Sequence, residues 1–248
     1  MQINRRFLGN SRLYGEEKFY KINQSHVCVI GLGGVGSWVV EALVRSGIGQ
    51  MTMIDLDNVS ESNVNRQLPA INSNFGKSKV EVLRERALEI NPEIRIIAVE
   101  DFVDERNYLD LFSSPFSFVV ETIDEVRIKT LLASHFIKNG QPFVVSGGAG
   151  GKQSARLVKT SDLSEVTHDR LLSHMRYQLR KNFNFPKKGN MQINCVFSEE
   201  PSSKPVQTCK SNISIQSGLS CAGYGSSMIV TASFAMQLAQ SALEWVVK

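Results

Sequence analysis

The stretch HVCVIGLGGVGSWVVEALVRSGIG, residues 26–49, decides the fold. HVCVI is short, apolar and β-branched, the composition of a parallel strand buried on both faces. Beyond the glycines, Val35, Val39, Ala42 and Leu43 recur at helical spacing. Strand, glycine turn and helix in that order make a dinucleotide fingerprint. Gly31 supplies the tight turn, Gly33 lets the backbone approach a phosphate, and Gly36 lets the helix pack closely on the strand. Free N–H groups at the helix start would then receive the phosphate. A second strand, QMTMIDLD, ends in Asp55, 19 residues after Gly36, where an acid accepts hydrogen bonds from ribose hydroxyls.

Hydride transfer to a nicotinamide needs no cations on the phosphates, yet this chain supplies them. TMIDLDNVSESNVNRQ at 52–67 places Asn63, Arg66 and Gln67 just beyond Asp55 and Asp57, in a loop too hydrophilic for core. GKSKVE at 76–81 puts Lys79 at the start of another helix. Splitting ATP between its α- and β-phosphates builds negative charge on the α-phosphoryl oxygens and on pyrophosphate. An arginine fork and a lysine aimed there are the stabilisers such chemistry requires. Either cation alone reads as a surface charge; the pair at this spacing points to ATP.

GLGGVG, IDLDNVSESNVNRQ, GKSKVE and VVETIDEV together resemble the ThiF/MoeB/HesA superfamily, the adenylating enzymes that activate ubiquitin-like and sulfur-carrier proteins. The resemblance implies that Asp55 holds the ribose, Arg66 and Gln67 contact the phosphates, and Lys79 stabilises the transition state. Gly31, Gly33, Gly34, Gly36, Asp57 and Asn63 complete the implied ATP site. It also implies Mg²⁺ on Asp124, at the end of FSFVVETID; from the residues alone, Asp124 reads as a helix N-cap. Family members are homodimers in which an N-terminal arginine enters the partner's ATP site. RRFLGNSRLYGEE offers Arg6 and Arg12, of which Arg12 is favoured, and a plain surface arginine is the alternative.

The second half narrows the resemblance. SGGAGG at 146–151, INCVFSEE at 193–200 and SCAGYGSSMIVTASF at 220–234 are similar to the tRNA threonylcarbamoyladenosine dehydratases. That group implies ATP-dependent dehydration, by cyclisation, of threonylcarbamoyladenosine in tRNA through an acyl-adenylate. The alternative is adenylation of a carrier protein's C-terminus. Against it stand the four cysteines, Cys28, Cys195, Cys209 and Cys221, which form no CxxC pair for zinc. Cys28 alternates with apolar neighbours and reads as packing. Cys221, in a glycine- and serine-flanked turn before a helix, reads equally as an exposed thiol or a buried small residue. An exposed thiol there could receive persulfide sulfur from a cysteine desulfurase system.

Net charge is +4, from 28 Lys+Arg and 24 Asp+Glu, but its distribution is uneven. Arg170, Arg176, Arg180, Lys181, Lys187 and Lys188 fall within 19 residues that contain no acid. Tyr177, Phe183 and Phe185 are interleaved, a pattern suited to tracking an RNA backbone and stacking on unpaired bases. A solvated helix face would share the charge but not the setting beside an adenylation site.

The expected architecture is α/β: a doubly wound, mostly parallel, Rossmann-like sheet in a single domain over 1–248, with a mobile basic insertion at about 160–190 and a C-terminal helix. Strands are expected near 26–30, 51–56, 94–99, 117–122 and 142–146, helices at 35–46, 77–90, 104–112 and 126–138, and further strands in 191–216. The apolar run 226–247 is nearly long enough to span a bilayer, but Gln237, Gln240 and Glu244 interrupt it. It reads as a helix packed on the domain or a dimer partner, with peripheral membrane contact the lesser reading. No signal peptide precedes the nucleotide fold, which places the expected compartment in the reducing cytoplasm.

Overall fold

A computed structural model describes residues 4–203 and 224–248. Among the described residues seven strands form one sheet: β1 (His26–Ile30), β2 (Gln50–Ile54), β3 (Arg95–Val99), β4 (Phe118–Glu121), β5 (Phe143–Ser146), β6 (Val158–Asp162) and β7 (Asn194–Ser198). The helices are α1 (Leu8–Tyr14), α2 (Glu16–Gln24), α3 (Gly36–Arg45), α4 (Lys79–Ile90), α5 (Tyr108–Leu111), α6 (Val126–Asn139), α7 (Arg170–Asn182) and α8 (Met228–Val246). Strand order is β3-β2-β1-β4-β5-β7-β6, with β6 alone antiparallel. Chain order reverses between β1 and β4, so the crevice for a ligand opens beyond their C-terminal ends.

Successive residues of the central strands feed two separate cores. Val27 and Val29 of β1 enter one with Val120 and Val144; Cys28 and Ile30 enter the other with Val119 and Val145. Helices α3, α4 and α8 cover the first face and α6 and α7 the second, through residues such as Val39, Leu43, Phe234 and Leu238 against Phe136, Leu172 and Met175. A sheet so covered needs apolar residues at every strand position, which is why HVCVI shows no polar alternation.

Helix 104–112 is a correction: only Tyr108–Leu111 is helical. The Asp104 carboxylate accepts from the backbone N–H groups of Arg106 and Asn107, and the Asn107 amide donates to the Phe102 carbonyl. These local bonds hold the chain in turns and delay the helix. The basic segment contains β6 and α7, and α7 is capped by Asp169 and anchored by buried Leu171, Leu172, Met175 and Leu179. Helix α8 packs along α3. Its Gln237 accepts from the Thr160 hydroxyl at 2.8 Å and donates to the Val158 carbonyl at 3.0 Å, so this interrupting polar residue ties α8 to the sheet. Among the described residues no helix is long and apolar enough to cross a membrane.

Candidate active site

The glycine turn is built around three close approaches. Gly31 has φ +84°, and its N–H donates to the Ile54 carbonyl at 2.9 Å. A Cβ on Gly36 would collide with the Gly31 carbonyl oxygen, so the helix can begin this near the strand only with glycine. Thr122, just past β4, donates its hydroxyl to the Gly31 and Ile30 carbonyls at 2.5 and 2.9 Å. The loops after β1 and β4 are therefore fixed to one another across the crevice. Gly33 is different: a Cβ there would meet only Gln67 Nε2, at 4.0 Å. Packing does not demand that glycine; close approach of a ligand would.

Asp55 sits at the end of β2 and spends both oxygens on backbone. Oδ2 accepts from Leu32 N at 2.5 Å and Oδ1 from Asp57 N at 2.8 Å. Burial pushes its carboxyl above the usual range, opposed by the Lys79 ammonium and by those two N–H groups. Lys79 is buried at the first position of α4; its Nζ lies 2.8 Å from Asp57 Oδ2 and 3.9 Å from Asp55 Oδ1. It is held by two carboxylates and is no solvated first-turn lysine.

Arg66 lies across the glycine turn. Its Cγ would be 3.1 Å from a Cβ on Gly34, and its Nη1 donates to the Ser62 carbonyl and Asn65 Oδ1 at 2.9 and 3.0 Å. Burial pulls its pKa below the ordinary arginine value, although the group stays a cation. Asn63 is a structural residue of this loop: with Ser60 it closes a capping box. Gln67 is buried, and its Oε1 has no hydrogen-bond partner among the described residues. The loop is clamped to α3, since Trp38 Nε1 donates to the Arg66 carbonyl at 2.9 Å and Leu68 N to Ser37 Oγ at 3.2 Å.

Asp124 is exposed in the loop beyond β4, and the N-cap of α6 is Glu125. Behind it lies a pair that sequence reasoning missed. Glu121 and Lys129 are both fully buried, with Nζ 2.5 Å from Oε2; Nζ also donates to the Ser146 carbonyl at 2.9 Å, and Glu121 Oε1 accepts from Ile123 N. A glutamate closing an otherwise apolar strand was the available signal. Asp169, Lys152 and Tyr224 were missed as well. Asp169 accepts from Gly148 N at 2.8 Å, and Lys152 Nζ donates to the carbonyls of His168, Ser198 and Glu200.

The basic residues divide. Arg176 is half-buried and gives Nη1 to the Leu163 and Val166 carbonyls, both at 2.8 Å, so it anchors α7. Arg180 donates to the Pro186 carbonyl, and Lys181 lies 5.7 Å from the Tyr177 ring centroid. Arg170, Lys181, Lys187 and Lys188 are exposed. Arg12 is exposed on α1. Asn10 of that helix donates to the Arg45 carbonyl at the C-terminal end of α3, whereas the glycine turn lies at the opposite end, about 15 Å along the axis. Cys28 and Cys195 are buried, and burial raises both thiols. Cys209 and Cys221 lie outside the described residues, as does half of the stretch 191–216 in which further strands are expected; β7 lies in its described half.

A mostly parallel sheet with an acid at the end of β2 and two cations around a glycine turn defines a nucleotide-binding α/β protein, and the chain belongs to the ThiF family, whose profile matches residues 6–248. It is 40% identical over 232 residues to the tRNA threonylcarbamoyladenosine dehydratase of Haemophilus influenzae, covering 92% of this chain and 88% of that protein. The Escherichia coli protein of the same name is 39% identical over 247 residues, covering 96% and 92%. Crystal structures of the E. coli enzyme in complex with AMP and with ATP superimpose with a TM-score of 0.89 at 37% identity, over 99% of this chain and 97% of theirs.

Proposed function

We propose that this protein uses ATP to dehydrate threonylcarbamoyladenosine in tRNA, through an acyl-adenylate. The observation that carries this reading is that Arg66 packs against Gly34 while Lys79 pairs with Asp55, whose carboxylate holds Leu32 of the same turn, within the full-length likeness to the dehydratases. Asp55 would accept from the ribose hydroxyls, and the turn would admit the phosphates at Gly33. The threonyl carboxylate oxygen attacks the α-phosphorus, and pyrophosphate leaves. Arg66 and Lys79 stabilise the charge that builds on the α-phosphoryl oxygens. The carbamoyl oxygen or nitrogen of the same group then attacks the activated carbonyl, a ring closes, and AMP departs. Together the two steps remove one water from the nucleoside. Because ring closure is intramolecular, proximity supplies much of its acceleration and no protein nucleophile is required.

Mg²⁺ fits the donor set: nucleotide-bound Mg²⁺ takes one or two carboxylates and fills its shell with phosphate oxygens and water. The exposed Asp124 carboxylate, in the loop pinned to the glycine turn by Thr122, is the residue that would hold it. The bound ion would neutralise phosphate charge. Lys181, Lys187 and Lys188 would take the RNA backbone as point charges. Arg12 would serve the partner's site in a homodimer.

Mass spectrometry of tRNA nucleosides, under conditions that protect the cyclic product from hydrolysis, tests the reading. Wild type with ATP should convert the nucleoside to a species one water lighter and release AMP and pyrophosphate. Arg66→Ala and Lys79→Ala should each lower turnover by on the order of 10²–10³. Full conversion by both variants would overturn the assignment, as would conversion by wild type without ATP.

A further inference from the structure

A three-residue segment ahead of α8 is laced between the nucleotide loop and the start of the basic helix. Ser226 accepts from Asn65 Nδ2 through its carbonyl at 2.9 Å and its hydroxyl at 3.3 Å, and Asn65 adjoins Arg66. The Gly225 carbonyl accepts from Gly151 N at 2.8 Å. The Tyr224 hydroxyl accepts from Arg170 Nη1 at 3.2 Å. The tyrosine ring also rests on the loop after β5. A Cβ on Gly151 would lie 2.9 Å from Tyr224 Cδ1, and Gly151 has φ +73°, so glycine is required for the ring to seat. The ring is thus fixed at its backbone, at one flank and at its hydroxyl, while remaining half-buried.

Position gives this ring a use. Two residues span at most about 7 Å, so Tyr224 stays near Ser226 and hence near the Asn65–Arg66 corner. Its other tie is to the first residue of α7, where the exposed cations begin. The recess lined by Gly148, Asp169, Arg170 and Tyr224 has a volume of about 30 Å³, room for a water-sized group but not for a purine. The ring, and not the recess beside it, is the surface on which a base would lie.

We propose that Tyr224, held in place by Arg170, is the stacking platform for the unpaired adenine that carries the group to be activated, and so aims its carboxylate at Arg66. The proposal rests on the tRNA reading above. An aromatic face with a guanidinium at its edge is the chemistry by which proteins hold splayed-out RNA bases. The lysines of α7 and the loop after it supply charge without regard to base; Tyr224 supplies contact with the base itself.

The test is a double-mutant cycle between ring and base. Affinities are measured for a tRNA stem-loop with unmodified adenine at the target position and for the same RNA abasic there, with wild type and Tyr224→Leu. Removing the base should weaken wild-type binding about tenfold, Tyr224→Leu should weaken it comparably, and both changes together should cost little more than either one. Tyr224→Phe, which keeps the ring, should bind within about twofold of wild type. Losses that simply multiply would overturn the platform. If Tyr224→Leu does not fold, 2-aminopurine replacing the target adenine decides: its fluorescence should be quenched on wild type and on Tyr224→Phe, and an unquenched signal sinks the proposal. Conversion of the nucleoside by wild type is measured in parallel. A wild type that converts it while the losses multiply removes the platform alone; a wild type that never converts it removes the parent reading.

Discussion

Two glycines only three residues apart answer to different constraints, and this separates structure from chemistry. Gly36 has no room for a methyl group because the Gly31 carbonyl occupies the place, whereas Gly33 has open space. Gly36→Ala should therefore cost about 3 kcal/mol or more, since backbone cannot yield as a side chain can. Gly33→Ala should melt within a few degrees of wild type but lose ATP affinity. Thermal melts paired with ATP calorimetry check both, and a Gly33→Ala protein with intact ATP affinity would show that no phosphate approaches there. Asp55 gives a pH prediction. Burial raises its folded pKa, so the ionised form is less favourable folded than unfolded, and its contribution to stability falls as pH rises through the folded value. Ribose hydroxyls donate more strongly to the ionised form. ATP affinity should accordingly fall in mildly acidic buffer where an ordinary aspartate remains charged, with proton uptake on ATP release. Asp55→Asn should bind more weakly at neutral pH and lose that acid-limb dependence. A wild-type affinity flat across this range would contradict the assignment.

At the level of elements, the buried Glu121–Lys129 pair joins three pieces of the crevice: the end of β4, the first turns of α6 and the end of β5. Removing one partner of such a pair leaves a buried charge, which costs about 3–5 kcal/mol. Lys129→Met should lower the melting temperature by roughly 6–20 °C, given about 2–4 °C per kcal/mol at this chain length. The sign of its pH dependence follows from burial. Without its lysine, Glu121 has a folded pKa raised further, so stability is retained below the unfolded value and lost as pH rises through the folded one. The deficit should be larger at alkaline than at acidic pH, and Glu121→Gln/Lys129→Met should recover much of it; a pH-independent deficit would argue against an uncompensated carboxylate. Elements of this kind mark where sequence reading ended. The strands with both faces buried were legible, since HVCVI and FVV admit no other reading. So was the gathering of Asp55, Arg66 and Lys79 about the glycine turn. Short helices α1 and α2 were not expected, and 104–112 was expected as one helix, because Asp104 and Asn107 redirect the backbone through local bonds that periodicity does not register. Lys129 sits among apolar residues of α6 and Arg176 in a basic run. Only the fold reveals that one neutralises a strand-end glutamate and the other holds carbonyls.

Across the whole molecule the sheet divides labour: the β1–β4 crevice gathers the groups proposed to hold ATP, and the β7–β6 edge carries the basic helix. The N-terminal helices stand apart from both. Asn10 fastens α1 at the C-terminal end of α3, and the glycine turn is at the other end of that helix. Arg12 is thus poorly placed for its own subunit's phosphates, and service to a partner's site is the arrangement that would give it a role. Complementation between two inactive proteins tests this. Arg12→Ala lacks the donated arginine, and Lys79→Ala lacks the receiving lysine. In a mixed dimer with two-fold symmetry of sites, the site with an intact Lys79 faces the partner that retains Arg12, so one of its two sites is whole. Random exchange at equal concentrations makes half the dimers mixed, and turnover should recover to about one quarter of wild type. An arginine acting within its own subunit gives a different count: every site then lacks either Arg12 or Lys79, and mixing restores nothing. Tags on the two variants, with paired purification, establish that mixed dimers have formed. If they form and turnover stays at the level of the separate variants, Arg12 does not act across a dimer interface.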